Sequence, residues 1–134
     1  MTHLDTSFLV DLLREATRGT KGPAHRLLER LAEEPLAVSV HVACELYAGA
    51  ELAEAPDSER SKVDALLAAL DVVVPDDNFP RRYGEVLAEL QPRGEAIATM
   101  DLLIAAAALG HGAPLVTRNA RHFDRVPGLL VMGY

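Results

Sequence analysis

The stretch MDLLIAAAALGHGAPLVTRN, Met100 to Asn119, decides how the chain is read. Its apolar run from Leu102 to Gly110 is far shorter than the roughly 20 residues a bilayer demands, so it predicts a buried helix. The punctuation Gly-His-Gly-Ala-Pro (110–114) breaks that helix. Leu115 to Thr117 then reads as a short buried strand. A buried helix delivering the chain into a buried strand is the unit from which parallel sheets are built.

Working outwards, the same alternation recurs. His3-Leu4 with their neighbours, Leu36 to Val40 and Val72 to Val74 read as further buried strands, with Leu129 to Met132 as a fifth candidate. Between them, SFLVDLLREAT places Phe8, Leu9, Leu12 and Leu13 on one side of a helix. AHRLLERLAEE repeats Leu27, Leu28 and Leu31, and HVACELYAGAEL groups Val42, Leu46 and Gly49. SERSKVDALLAAL and PRRYGEVLAEL complete the helical set. Strands alternating with helices predict an α/β domain whose parallel sheet is covered on both faces. Ligands of such sheets sit outside the carboxyl ends of the strands. At 134 residues, without a repeat or a clear linker, the chain is expected to be one domain over 1–134.

Composition narrows the classes of function. There is no Trp and only three Phe and three Tyr, so the core has to be built from Leu, Val and Ala. The formal net charge of −7 argues against a protein that coats nucleic acid with its whole surface. It leaves room for a local basic rim, and VTRNARHFDRV (116–126) supplies one, with Arg118, Arg121 and Arg125. Cys44 is the single cysteine, which excludes an internal disulfide and suits a reducing cytosol. The start MTHLDTS has no basic segment followed by an apolar run, so no secretory signal is expected and the expected location is cytoplasmic.

Three acids stand out by position. Asp5 follows the first strand and opens the first helix, where a plain N-cap is an equal reading. Glu45 shares a helix side with Val42, Leu46 and Gly49, on the buried stripe or at its edge. Asp101 opens the most apolar helix behind Thr99, a candidate cap, and the helix dipole favours an acid there. Thr117 and Asn119 follow a strand and read equally as a turn, with Asp124 five residues on. Jointly the three acids fall where a parallel sheet carries its ligand. Converging carboxylates repel one another unless a cation joins them, and hard oxygen donors suit Mg²⁺ or Mn²⁺. No His/Cys spacing suggests zinc.

LDTSFLVDLL (4–13), VSVHVACELYAGA (38–50) and MDLLIAAAALGHGAPLVTRNARHFDRVPGLLV (100–131) together resemble the PIN-domain ribonucleases, in particular the VapC-type toxins of bacterial toxin–antitoxin pairs. The third block is the most specific, because D-x-x-I-A-A-A-A, L-V-T-x-N and H-F recur together there. The resemblance implies a three-layer α/β/α fold around a mainly parallel sheet of four to five strands. It implies Mg²⁺- or Mn²⁺-dependent endonucleolytic cleavage of RNA by an activated water. It further implies homodimerisation or a toxin–antitoxin hetero-oligomer, with inhibition by a VapB-type antitoxin. Carried over by position, the acidic site falls on Asp5, Glu45 and Asp101, and the fourth polar place on Asn119, with Thr117 beside it. Asparagine there removes a charge that many PIN domains carry, and Asp124 is a candidate substitute. Tyr134 stands where Trp is frequent.

Arg118, Arg121 and Arg125 are expected to hold the RNA backbone beside the acids, or else to form a solvated loop paired with acids such as Asp124. Phe123 is read as a core plug rather than a base-stacking platform, and His122 as structural rather than a general acid. Cys44 is expected to be a small buried side chain and His41 a local hydrogen-bonding residue. Arg81 and Arg82 could touch RNA, but are read rather as solvated. Leu27, Leu28, Leu31, Val63, Leu66 and Leu67 are read as core, or as the lining of a groove for a partner helix. Two rivals remain: a non-catalytic PIN-like scaffold, and a small α/β phosphoryl-transfer enzyme with Asp5 as nucleophile. Against the second, Ser7 stands where dehalogenase-like phosphatases carry another aspartate, and no Walker-type loop is present.

Overall fold

The computed structural model describes residues 1–134. Five short strands form one wholly parallel sheet: β1 (Thr2–Leu4), β2 (Leu36–Ser39), β3 (Asp71–Val73), β4 (Leu115–Val116) and β5 (Val131–Met132). Their order across the sheet is β3-β2-β1-β4-β5. From β1 the chain steps outward through β2 to β3. It then crosses back over β1 to β4 and ends on β5. The order therefore reverses between β1 and β4, and that switch point is where open α/β sheets leave a crevice.

Helices α1 (Thr6–Arg18), α2 (Pro23–Arg30), α3 (Val40–Glu51) and α4 (Pro56–Ala68) accompany the outward steps. Helices α5 (Phe79–Leu90), α6 (Thr99–Gly110) and the short α7 (Ala120–Phe123) accompany the return. Right-handed crossovers put the two sets on opposite faces of the sheet. Most helix contacts follow this division, α1 with α2 and α3 and α3 with α4 in one layer, α5 with α6 in the other, while α3 also meets α6. The expected three-layer arrangement is present.

The core is aliphatic, as the composition requires. Phe8, Leu9, Leu4, Val38, Leu102, Ile104, Leu115 and Phe123 are all but inaccessible to solvent. Helix α6 buries Ala105, Ala106, Ala107 and Ala108 in succession, which explains why its sequence shows no polar face. Four local expectations need correction. Cys44 is exposed, because it lies on the side of α3 opposite to Val42 and Leu46. His41 finds no partner for Nε2 and instead stacks on Phe79 at 5.4 Å, and burial lowers its pKa. Arg82 is not free in solvent: it lies over Gly110, 3.9 Å from Asp76. Thr99 does not cap α6 either, for Ala98 occupies that place.

Gly22 and Pro23 begin α2 without a side-chain cap of their own. Glu15 of α1 reaches over and accepts from the backbone N–H groups of Gly22, Ala24 and His25 at 2.9, 3.0 and 3.0 Å, and from His25 Nδ1 at 2.8 Å. A Cβ on Gly22 would lie 2.5 Å from the Glu15 carboxylate, so glycine is required for this approach. Burial alone would push the Glu15 carboxyl upward; the bonds from His25, Ala24 and Gly22 outweigh it and hold the pKa at about 2. Glu15→Gln is expected to cost on the order of 2 kcal/mol at neutral pH. The folded pKa lies below the unfolded value, so this stabilisation is complete above the unfolded pKa near 4.5 and is lost as pH falls towards about 2. Urea melts of parent and variant between pH 7 and pH 3 should show the gap close on the acid side. A gap independent of pH would refute the assignment.

Candidate active site at the strand switch point

Parallel pairing of His3 with Leu115 and of Leu4 with Val116 brings the next residues, Asp5 and Thr117, side by side at the carboxyl ends of β1 and β4. The Asp5 N–H donates to the Val116 carbonyl at 2.9 Å, extending the ladder one step. Asp5 is 3% exposed and occupies the N-cap position of α1, yet its side chain caps nothing. Instead its Oδ2 accepts from Thr117 Oγ1 at 2.7 Å and from Ser7 Oγ at 2.8 Å. A buried carboxylate with two hydroxyl donors on one oxygen and no protein donor on the other is held in place, not consumed by capping. The plain N-cap reading of Asp5 is thereby overturned.

Asp101 stands in the first turn of α6 and is half-buried. Burial pushes its carboxyl above the ordinary range, and the neighbouring Asp5 charge pushes the same way, while His122 opposes both. Its Oδ2 lies 3.1 Å from His122 Nε2, and its Oδ1 has no protein partner. Asp5 and Asp101 therefore share one pattern: Oδ2 anchored, Oδ1 unbonded. Glu45 comes from α3, whose start is fixed by Ser39 accepting the Val42 N–H at 3.3 Å. Thr6, the residue after Asp5, donates to Glu45 Oε1 at 2.5 Å.

Glu45 thus reaches the start of α1 and Asp101 feels the Asp5 charge, but the three acids do not close into a cage. No three Asp, Glu, His or Cys side chains stand together closely enough to hold an ion as they are placed. Each of the three acids has a protein donor on one oxygen: Ser7 and Thr117 for Asp5, His122 for Asp101 and Thr6 for Glu45. The donor set nevertheless fits a hard divalent cation, since it offers oxygen atoms only, and Asp5 and Asp101 each keep one oxygen unbonded.

Asn119 is exposed and its side chain makes no hydrogen bond; its N–H donates to Thr117 Oγ1 at 3.0 Å. Asp124 is exposed at the end of α7 with no polar partner for its side chain. The arginines flank an open cavity of about 530 Å³ lined by Arg118, Asn119, Arg121, His122 and Arg125. They differ in freedom. Arg118 pairs with Asp11 at 2.7 Å and Arg125 donates to the His122 carbonyl at 3.1 Å, while the Arg121 side chain has no partner in the protein. Sequence reasoning missed Ser7, Thr6 and Asp11. Ser7 had a signal, standing two residues after Asp5, within reach of its carboxylate. Asp11 had none, because its partners Arg118 and Tyr134 come from the far end of the chain.

A parallel α/β sheet with two anchored aspartates at its switch point and a basic rim suits an enzyme that acts on phosphodiesters. The chain belongs to the PIN-domain family, whose sequence pattern matches residues 3–129. Within that family it is similar to ribonuclease VapC2 of Rickettsia felis, 35% identical over 105 residues and covering 78% of each chain. It is also similar to the tRNA(fMet)-specific endonuclease VapC of Salmonella typhimurium, 33% identical over 65% of this chain and 66% of that one. Among solved structures, VapBC2 of Rickettsia felis bound to a promoter DNA fragment superposes with a TM-score of 0.88 at 30% identity, over 99% of this chain and 98% of that one.

Proposed function

We propose that this protein is a VapC-type endoribonuclease, a single PIN domain over 1–134 that acts as the toxin of a toxin–antitoxin pair in the cytoplasm. The observation that carries the reading is the Asp5–Thr117–Ser7 cluster beside Asp101 at the strand switch point. Asp5, Asp101 and Glu45 would hold Mg²⁺ or Mn²⁺, with Asn119 and Thr117 alongside and Asp124 as a candidate further ligand. The chemistry such an ion would supply there, when bound, is activation of a water and neutralisation of charge on the phosphate. Thr117 and Ser7 orient Asp5. The rim arginines bind the RNA backbone, which the net charge of −7 would otherwise repel. No helix is long and apolar enough to cross a membrane.

A VapB-type antitoxin is the proposed inhibitor, in a hetero-oligomer built on a toxin homodimer. An apolar cavity of about 310 Å³ lined by Val10, Leu13, Leu46, Ala50 and Val63 borders Glu45 and offers such a partner a seat next to the acids. Expression of the protein should arrest growth, and co-expression of the antitoxin should relieve it. Purified protein should cleave RNA, with initiator tRNA as the first substrate to try, only when Mg²⁺ or Mn²⁺ is added. Cleavage undiminished in EDTA would defeat the reading.

The rim makes a separate prediction. Arg121→Ala should weaken RNA binding and reduce the slope of log affinity against log salt by about 0.7, the value of one phosphate contact to a single strand. Arg118→Ala and Arg125→Ala should have smaller direct effects, since Asp11 and His122 already occupy part of each guanidinium. Fluorescence anisotropy in EDTA between 50 and 200 mM salt measures this without cleavage.

A further inference from the structure

We infer that His122 is a positioning residue for Asp101, locked in one tautomer by Arg125. His122 Nε2 lies 3.1 Å from Asp101 Oδ2, and its Nδ1 faces Arg125 Nη2. A guanidinium has only donors and keeps its proton, so Nδ1 has to accept. The ring proton then stands on Nε2 and is donated to Asp101. Arg125 is itself fixed, because its Nε donates to the His122 carbonyl at 3.1 Å. The ring also meets Phe123, a fully buried anchor, edge to face at 5.5 Å. Arginine, imidazole and carboxylate thus form a directed chain whose last bond ties down Oδ2 and leaves Oδ1 of Asp101 without a protein partner.

The chain changes the role of two rim residues. Arg125, expected to clamp RNA, acts through His122 on the acid; His122, read as merely structural, sets the orientation of a ligand. Imidazole–carboxylate contacts of this kind hold first-contact ligands in place in metal sites, and their loss weakens metal binding roughly 10- to 100-fold. The consequence for metal binding rests on the ribonuclease reading; the tautomer does not.

The test therefore has two arms. In metal-free protein labelled with ¹⁵N-histidine, long-range ¹H–¹⁵N correlation at neutral pH should show His122 as the Nε2–H tautomer, and Arg125→Ala should turn it into a mixture. In the second arm, Mn²⁺ is titrated into folded protein and free ion is followed by electron paramagnetic resonance. His122→Ala should weaken Mn²⁺ about 10-fold or more. His122→Gln, whose amide nitrogen reaches the Nε2 place, should stay within about threefold of the parent, and His122→Asn, which ends at the Nδ1 place, should behave like alanine. An Nδ1–H tautomer in the parent, or His122→Ala binding Mn²⁺ as tightly as the parent, would overturn the inference. If the parent bound no Mn²⁺, the acids would lose their assignment as ligands, while the first arm would still decide whether Arg125 locks His122 onto Asp101.

Discussion

Asp5→Asn is expected to lower RNA cleavage by at least about 100-fold while leaving the protein folded. The magnitude follows from what the carboxylate is asked to do. Stabilising a divalent ion against a phosphate that gains charge is worth several kcal/mol, and about 1.4 kcal/mol corresponds to each factor of ten. The fold should survive because the amide has nearly the same shape and can still accept from Ser7 Oγ and Thr117 Oγ1, now on its single carbonyl oxygen. What the substitution removes is the charge and the second oxygen, the one with no protein donor. Thr117→Val provides a graded comparison. It removes one donor from Oδ2 and the acceptor that the Asn119 N–H uses, so it should lower cleavage less than the loss of the acid itself. Gel assays on labelled RNA with Mg²⁺ or Mn²⁺, beside circular dichroism melts, separate activity from folding. An Asp5→Asn protein that melts normally and cleaves like the parent would show that the acids at the switch point are not where the chemistry occurs.

How far this site was legible in the sequence depends on which interactions are local. Helix and strand alternation announced the parallel sheet, because burial on both faces leaves apolar runs that need no partner to be recognised. It also put Asp5 and Asp101 at element ends. The pairing of Asp5 with Thr117 across 112 positions was not legible, since it depends on β4 lying next to β1, and only the strand order settles that. The family resemblance bridged this gap by supplying positions in place of distances. It did not supply the individual ties. Arg118 to Asp11, Tyr134 to Asp11 and Glu15 to the start of α2 are side-chain contacts between elements, made by residues whose types are ordinary on any surface. Cys44 was misread for a related reason: a small apolar residue beside a buried stripe is placed by one helical step, and the step here points it outward.

Phe123→Ala is expected to be the most damaging single truncation in the basic segment, though it touches no RNA. Phe123 is completely buried, so its ring cannot serve as a platform for a base. It belongs to the same core as Leu4, Phe8, Leu115 and Val126, and it is the one buried residue of α7. Removing a fully buried phenyl ring costs about 3–5 kcal/mol. For a chain of this length that should lower the melting temperature by roughly 10 to 20 °C. Phe123→Leu, which keeps most of the buried volume, should cost clearly less. Below the melting temperature the alanine variant should also cleave poorly, because α7 carries Arg121 and His122 and would lose what holds it against the sheet. The two roles of an aromatic residue in a basic loop separate here. A stacking platform, when truncated, weakens RNA binding at unchanged stability, whereas a core anchor lowers stability first and binding only as α7 loosens. Thermal melts and anisotropy on the same two variants distinguish these, and weakened binding at an unchanged melting temperature would return Phe123 to the RNA.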